Sequence, residues 1–366
     1  FPGKGVAKRQ LTFAASRCTI WGGEPQMAND CGLKMLTVRL SIGSPDGVNR
    51  AVALLRQGEL VAFPTETVYG LGADARNADA VRRIYDAKGR PADHPVIVHL
   101  AAATQLAEWS DDVTPLAKKL AANFWPGPLT LILRRAQGVG DFVTGGQDSV
   151  GLRVPGHPVA QALLAAFGGG IAAPSANRFG RVSTTTAQHV AEELGDRVDY
   201  VLDGGASDIG IESTIIDARG DHPVLMRPGH ISVEAIEAAA GIAVEAPRSD
   251  APRVSGALAA HYAPATTLLL LEADLLLELA ATLSRQGKRV AVLAMSARQP
   301  LLAGLTWIAA PAEAAAYAHE LYANLRSLDA AGCEAILVEQ PPQQVEWAAV
   351  NDRLMRAAAG AQRVEG

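Results

Sequence analysis

Leu60-Val61-Ala62-Phe63-Pro64-Thr65-Glu66-Thr67-Val68-Tyr69-Gly70-Leu71-Gly72 is the stretch on which the reading of this chain turns. Its first four residues are apolar without alternation, the pattern of a short strand buried on both faces, and Pro64 ends the run. Two threonine hydroxyls and a carboxylate then stand where the strand leaves its sheet. Glycines beside them let backbone approach a small polar ligand. A plain turn with Thr and Glu as helix caps accounts for the same residues equally well.

Outward from this stretch the chain alternates between helical and extended periods. Residues 48–55 carry apolar side chains at helical spacing, and 78–87, 115–124 and 158–167 read as further helices. Strands are predicted over 96–100, 129–133, 150–154, 171–173, 200–202, 213–217 and 223–226. The class is α/β: a mixed α/β domain with a twisted sheet over 45–240, its loops gathered at strand ends. From 241 to 264, Pro247, Pro252, Ser255, Gly256 and Pro264 punctuate a stretch without periodicity, read as an interdomain linker. Beyond it, strands at 267–271, 289–293, 306–309 and 335–338 alternate with Ala- and Leu-rich helices. They predict a smaller C-terminal Rossmann-like, doubly wound α/β domain over 265–366. No glycine-rich fingerprint follows its first strand, so no nucleotide is expected there.

Composition agrees. At 366 residues the chain is too long for one ordinary core, and 49% hydrophobic with 19% charged residues is a globular balance. A net charge of -5 excludes phosphate-backbone binding by the chain as a block and leaves room for a local basic patch. Cys18, Cys31 and Cys333 lack metal-type spacing, and their odd number argues for a reducing, cytoplasmic setting. The apolar run at 268–271 is interrupted by Glu272 and Asp274 and is too short for a membrane span. Residues 1–34 carry Lys4, Lys8 and Arg9 but no signal-peptide core, and read as a disordered extension, with Met27 and Met35 as candidate starts.

Two further segments carry chemistry. Lys88-Gly89-Arg90-Pro91 closes a predicted helix, presenting a point charge and a planar fork to one polyphosphate. The same residues also make a helix C-terminus with favourable charge and a glycine cap. Pro174-Ser175-Ala176-Asn177 follows a strand and offers a hydroxyl and an amide to an amino acid or phosphate, or simply an Asx or Ser turn. Ser175 and Asn177 alternate along extended backbone, so both face one ligand only if the loop turns.

Taken together, Lys88-x-Arg90 followed by Ser175-x-Asn177 resembles the mark of the YrdC-type family. The surrounding text agrees in order: PTETVYGLG at 64–72, KGRP at 88–91, VPGHP at 154–158, ESTIID at 212–217 and RPG at 227–229. HYAP at 261–264, ahead of a second α/β domain, resembles the longer, two-domain threonylcarbamoyl-AMP synthases. The resemblance implies a YrdC-like catalytic domain and a nucleotidyltransferase. That enzyme joins L-threonine, bicarbonate and ATP into threonylcarbamoyl-AMP and pyrophosphate, for adenosine 37 of tRNAs reading codons that begin with A.

By the same resemblance, Thr67, His99, Arg153, Ser175 and Ser213 hold L-threonine, with Arg153 taking its carboxylate by a two-pronged hydrogen bond. Arg90, His94, Ser149, Asn177, Thr185, Arg227 and Tyr262 hold ATP, and Lys88 lies near its phosphates. Lys88 and Arg90 are the catalytic pair. His94 stands where the family more often has Asn, and Thr184 where it often has Pro. Mg2+ arrives on the triphosphate, since no acidic constellation forms a metal site. A downstream tRNA threonylcarbamoyl transferase machinery is the implied partner, with weak tRNA binding besides and no membrane. Two rivals stand beside this reading. One is an RNA-binding module using Lys88, Arg90, Arg153, Arg181 and Arg227 on a concave surface, and the other a carbamoyltransfer enzyme working on carbamoyl-phosphate.

Overall fold

Val61–Phe63 is a strand, and its unbroken apolar run has the reason expected. Leu60 and Ala62 enter one core while Val61 and Phe63 enter another, so both faces are covered. The protein is described here by a computed structural model, which covers residues 40–42, 44–256 and 258–361. The extension read over 1–34, with Cys18 and Cys31, lies outside the described residues; Cys333 is buried.

The segment after Phe63 departs from expectation. Gly70–Asp74 is a strand and not a loop, antiparallel to Val61–Phe63 with Gly72 opposite Val61. A Cβ at Gly72 would lie 2.8 Å from the Phe63 ring and 2.9 Å from Ile171 Cγ2. That glycine serves close packing within the sheet, not approach to a ligand.

The first sheet is mixed. In spatial order it runs Leu40–Ile42, Tyr200–Asp203, Val61–Phe63, Gly70–Asp74, Ile171–Ala172, Ile97–His99, Ser149–Arg153, Leu129–Arg135, Thr214–Asp217 and Val224–Arg227, with Ser110–Asp112 on the end of Leu129–Arg135. Pro45–Arg56 and Pro158–Phe167 cover one face. Ala78–Lys88, Pro115–Phe124 and two helices that periodicity did not suggest, Ala187–Leu194 and Val233–Ala240, cover the other. Helix ends follow local chemistry: Thr114 caps Ala117 N–H ahead of Pro115, and Gly168 closes Pro158–Phe167 in the left-handed region. Leu40–Ile42 pairs in parallel with Tyr200–Asp203, so the sheet begins ahead of residue 45. Past 240 the chain still holds to that sheet, for Leu225 N–H donates to Glu245 O at 3.0 Å and Glu245 N–H to Pro223 O at 2.8 Å.

The second sheet is all parallel, ordered Leu268–Leu271, Ala335–Glu339, Val290–Ala294, Leu305–Ala309. Ala273–Arg285 covers one face, and Ala314–Ala330 with Ala348–Ala361 the other, as a doubly wound domain requires. The second of these apolar layers does not stop at the domain edge. It takes in Val68, Val182, Ile211 and Tyr262 from the preceding chain. No helix of the described residues is long and apolar enough to cross a membrane.

Candidate active site

The turn-back between Val61–Phe63 and Gly70–Asp74 is tied to the Pro174-to-Asn177 loop. Leu71 N–H donates to Pro174 O, Ala176 N–H to Tyr69 O and Tyr69 N–H to Thr184 O, each at 2.8 Å. Between the two loops lies a cavity of about 40 Å³. Thr65, Thr67, His99, Arg153 and Ser175 wall one side, and Glu212, Ser213, Arg227, Ser255, His261 and Tyr262 the other. A space of that size holds roughly one or two water molecules, far less than a nucleotide.

All five residues expected to hold threonine therefore meet at one place. Their internal bonds were not foreseen. Arg153 donates to Glu66 Oε1 at 2.6 Å, to Thr67 Oγ1 at 2.8 Å and to Gly127 O at 3.2 Å. Three of its five N–H groups are thus engaged within the protein, and one on each terminal nitrogen is left over. Thr65 gives its only hydroxyl proton to Val68 O at 2.6 Å. Thr67, 2.8 Å from Thr65 Oγ1, must then donate to it, and a relay runs Arg153, Thr67, Thr65, Val68 O. Burial pushes the Glu66 carboxyl up, but Arg153 outweighs it and leaves it below the ordinary value. His99 is buried edge-on to Phe63 with Nδ1 unpartnered; burial first, then the charge of Arg153, brings its pKa down to about 3, so the ring is neutral. Ser213 Oγ lies 2.8 Å from Thr130 Oγ1 and accepts from Arg227 at 3.1 Å.

The residues expected to hold ATP are less gathered. Arg227 and Tyr262 line the cavity. Arg227 donates to Ser213 O at 2.9 Å and to Ser255 O at 2.8 Å, joining the strand to the linker. Tyr262 is buried with its hydroxyl unpartnered and its backbone in the left-handed region at φ 61°. Arg90 and His94 stand apart around Phe179, the guanidinium 5.9 Å and the imidazole 5.4 Å from its ring. Arg90 donates to Pro95 O at 2.7 Å and keeps Nε unpartnered. Ser149 borders a separate small void beside Ser255. Asn177 turns its amide onto the carbonyls of Arg178 and Arg181, and Thr185 lies 3.3 Å from His189 Nδ1.

Lys88 lies outside the cavity lining. Its Nζ donates to Ser175 O at 2.6 Å and to Asn177 O, so it holds the Ser-x-Asn loop. Burial, then Arg90, pushes its pKa well below the lysine range. Gly89 meanwhile makes the left-handed cap that the plain reading foresaw. Of the five cations the RNA-binding alternative called on, Lys88, Arg90, Arg153 and Arg227 are buried, and Arg181 is half-buried and paired with Asp329 at 3.5 Å, so they do not form the exposed basic surface that such a module needs.

Two wall residues escaped sequence reasoning: Glu212 stood within ESTIID and His261 beside Tyr262, each in a quoted motif but given no role. The Glu66 carboxylate, noted in the opening stretch, lies behind the wall on Arg153. Buried polar atoms without partners include His99 Nδ1, His261 Nδ1 and Tyr262 Oη in the cavity wall, and Arg90 Nε and Asn177 Oδ1 outside it. Such atoms call for a polar ligand. A larger open groove of about 430 Å³, bordered by Arg134, Asp217, Arg219, His222, Glu245 and Arg248, lies elsewhere. There Arg219 pairs with Asp217 and Asp148, and Arg248 with Glu245, and no orphaned atom points to a ligand.

Residues 53–229 match the family described as "Telomere recombination", and residues 231–359 that of the threonylcarbamoyl-AMP synthase C-terminal domain. The threonylcarbamoyl-AMP synthase of Bacillus subtilis is 42% identical over 334 residues, covering 89% of this chain and 96% of that protein. That of Pyrococcus abyssi is 39% identical over 322 residues, covering 84% and 93%. The crystal structure of P. abyssi Sua5 complexed with L-threonine superposes with a TM-score of 0.79 at 38% identity, over 86% of this chain and 94% of that one.

Proposed function

The chain belongs to the threonylcarbamoyl-AMP synthase family, and from that premise we propose how its residues divide the work. The enzyme is a nucleotidyltransferase that makes L-threonylcarbamoyladenylate. In our reading, bicarbonate is the third substrate and ATP enters with Mg2+ on its phosphates. The threonine amine takes up bicarbonate with loss of water, and the resulting carbamate oxygen attacks the α-phosphorus and expels pyrophosphate. No covalent bond to the protein is needed, so positioning and charge do the catalysis.

The observation that carries the site assignment is the convergence of Thr67, His99, Arg153, Ser175 and Ser213 on one cavity with Arg227 and Tyr262. Arg153 keeps its charge near the threonine carboxylate while Glu66 and Thr67 fix its direction. Neutral His99 offers an unpartnered nitrogen to the amino acid. Arg227 and the Tyr262 hydroxyl face the nucleotide, and Arg90 with His94 meets the phosphates farther out. Lys88 acts through the loop it holds. Asn177, Ser149 and Thr185 contribute once ATP parts the walls. That parting falls to the linker, where Ser255, Gly256 and Tyr262 line the cavity; shut again, it keeps water from the mixed anhydride. The product passes to a tRNA threonylcarbamoyl transferase machinery in the cytoplasm, for adenosine 37 of tRNAs reading codons that begin with A.

The deciding assay is pyrophosphate release from ATP. Release that requires both L-threonine and bicarbonate is expected. Release indifferent to threonine, or supported by carbamoyl-phosphate in place of bicarbonate, overturns the reading.

A further inference from the structure

We propose that Tyr322 and Arg353, both from the C-terminal domain, are positioning residues that fix Glu212 and Tyr262 on the nucleotide side of the cavity. This rests on the function just proposed and assigns the second domain a part in it.

The geometry is direct. Tyr322 on helix Ala314–Ala330 donates its hydroxyl to Glu212 Oε2 at 2.8 Å. Arg353 on helix Ala348–Ala361 donates Nε to the same oxygen at 3.1 Å, Nη2 to Glu212 O at 3.3 Å and Nη1 to Pro228 O at 2.6 Å. Ser183 donates to Glu212 Oε1 at 2.6 Å, so the carboxylate is held from both domains. The same two residues grip Tyr262: the Tyr322 ring stacks on it at 5.7 Å and 30°, and the Arg353 guanidinium lies 5.5 Å from its centroid. All four side chains are buried.

Tyr262 needs such a grip. A bulky residue stays in the left-handed region only where its surroundings over-determine it, and here the Tyr322 ring and the Arg353 guanidinium both pack on it. Its hydroxyl is left unpartnered at the cavity wall, beside the unpartnered His261 Nδ1. The stack belongs to the apolar layer that Tyr322 and Tyr262 share with Leu321, Leu325, Val350 and Leu354, whereas the bonds to Glu212 add nothing apolar to it. The arrangement therefore reaches out of the second domain toward the reaction site.

Glu212 is faced by Arg353 from one helix, Tyr322 from another, Arg227 from its strand, His261 and Tyr262 from the linker and Lys88 from Ala78–Lys88, while Asp352 pairs with Arg353. Arg353 is the nearest cation, so losing it moves Glu212 toward protonation.

The test uses the full chain carrying Tyr322→Phe or Arg353→Met, with ATP affinity by calorimetry, KM values from pyrophosphate release, and melting temperature. Loss of one hydrogen bond to a carboxylate predicts that Tyr322→Phe weakens ATP binding about tenfold while the threonine KM stays within about twofold. Arg353→Met gives at least that, and the acid limb of its pH–rate profile moves to higher pH. In a Tyr262→Ala background both lose most of their effect on ATP, as expected if they act through Tyr262. Tyr322→Phe keeps the ring and so decides the matter even if Arg353→Met does not fold. Wild-type ATP affinity in Tyr322→Phe, with only the melting temperature lowered, overturns the proposal. Binding by calorimetry keeps the two readings apart. A wild-type chain that binds ATP without threonine-dependent release refutes the function, whereas weakened binding in the variants still upholds the positioning.

Discussion

Replacing Lys88 by methionine removes an ammonium while keeping most of the stem's volume. Nζ donates to two buried carbonyls, Ser175 O and Asn177 O. Hydrogen bonds from a charged donor contribute about 1.5–3 kcal/mol each, so the pair amounts to roughly 3–6 kcal/mol before any offset. The offset is the cost of keeping the ammonium out of water, which the depressed pKa of Lys88 expresses. A net loss of about 2–4 kcal/mol follows, or roughly 3–6 °C in melting temperature for two domains that melt as one unit, at about 2.1 cal/mol/K of unfolding entropy per residue. Because Ser175 sits in the cavity wall, its loop also loosens at the proposed threonine site. The threonine KM should rise about tenfold, the value of one well-placed hydrogen bond, and the ATP KM much less. Thermal melting and initial rates at varied threonine and ATP settle the matter. An unchanged melting temperature with a rise confined to the ATP KM would refute the reasoning and return Nζ to the phosphates.

Acid should destabilise the fold in a defined window. Arg353 and Arg227, against the upward push of burial, hold Glu212 at about 2 instead of 4.5. Its contribution is complete above the unfolded value, vanishes as pH falls toward 2, and is on the order of 3 kcal/mol. His99 and His261, lowered by burial from 6.5 to about 3, add loss in the same direction because the unfolded chain protonates first. Urea midpoints should fall steadily from about pH 6.5 downward, with the part below about pH 4.5 flattened in Glu212→Gln; a midpoint indifferent to pH would contradict this. Glu66→Gln should raise the threonine KM by about tenfold or more by releasing Arg153, with the ATP KM steady, and equal threonine KM values would remove Glu66 from the site. Valine should be a poorer substrate than threonine by on the order of 10⁴, with serine between them, since hydroxyl-satisfying pockets reject analogues that lack the group. Comparable rates with valine would mean that the pocket reads shape alone.

The helices were legible where their ends are written in local chemistry. Pro115–Phe124 and Pro158–Phe167 run over the spans that periodicity predicts, because Thr114 and His157 cap a proline start and Gly168 stops the second. Gly70–Asp74 was missed because its glycines read as loop formers, while their actual work is to let Phe63 and Ile171 close on the strand. The cavity was legible through resemblance, since Thr67, His99, Arg153, Ser175 and Ser213, drawn from separate motifs, all line it. The bonds inside it were not, because Glu66, Arg153 and Gly127 meet only after the sheet brings distant strands together. Lys88 shows the limit most sharply. A cation in a polar motif suggests an anion, and only the fold reveals two carbonyls of its own chain as the acceptors.

The apolar layer that runs from Val68, Val182, Ile211 and Tyr262 into Leu321, Leu325, Val350 and Leu354 has a thermodynamic consequence. Two domains that bury one shared core melt together, so calorimetry should give a single endotherm whose van 't Hoff and calorimetric enthalpies agree. Severing the chain between them would leave each half with a greasy scar prone to self-association. Occupation of the cavity should in turn be felt far from it. Amide hydrogens of helix Ala314–Ala330 should exchange more slowly when substrates bind, although that helix reaches the cavity only through the side chains packed against Tyr262 and Glu212.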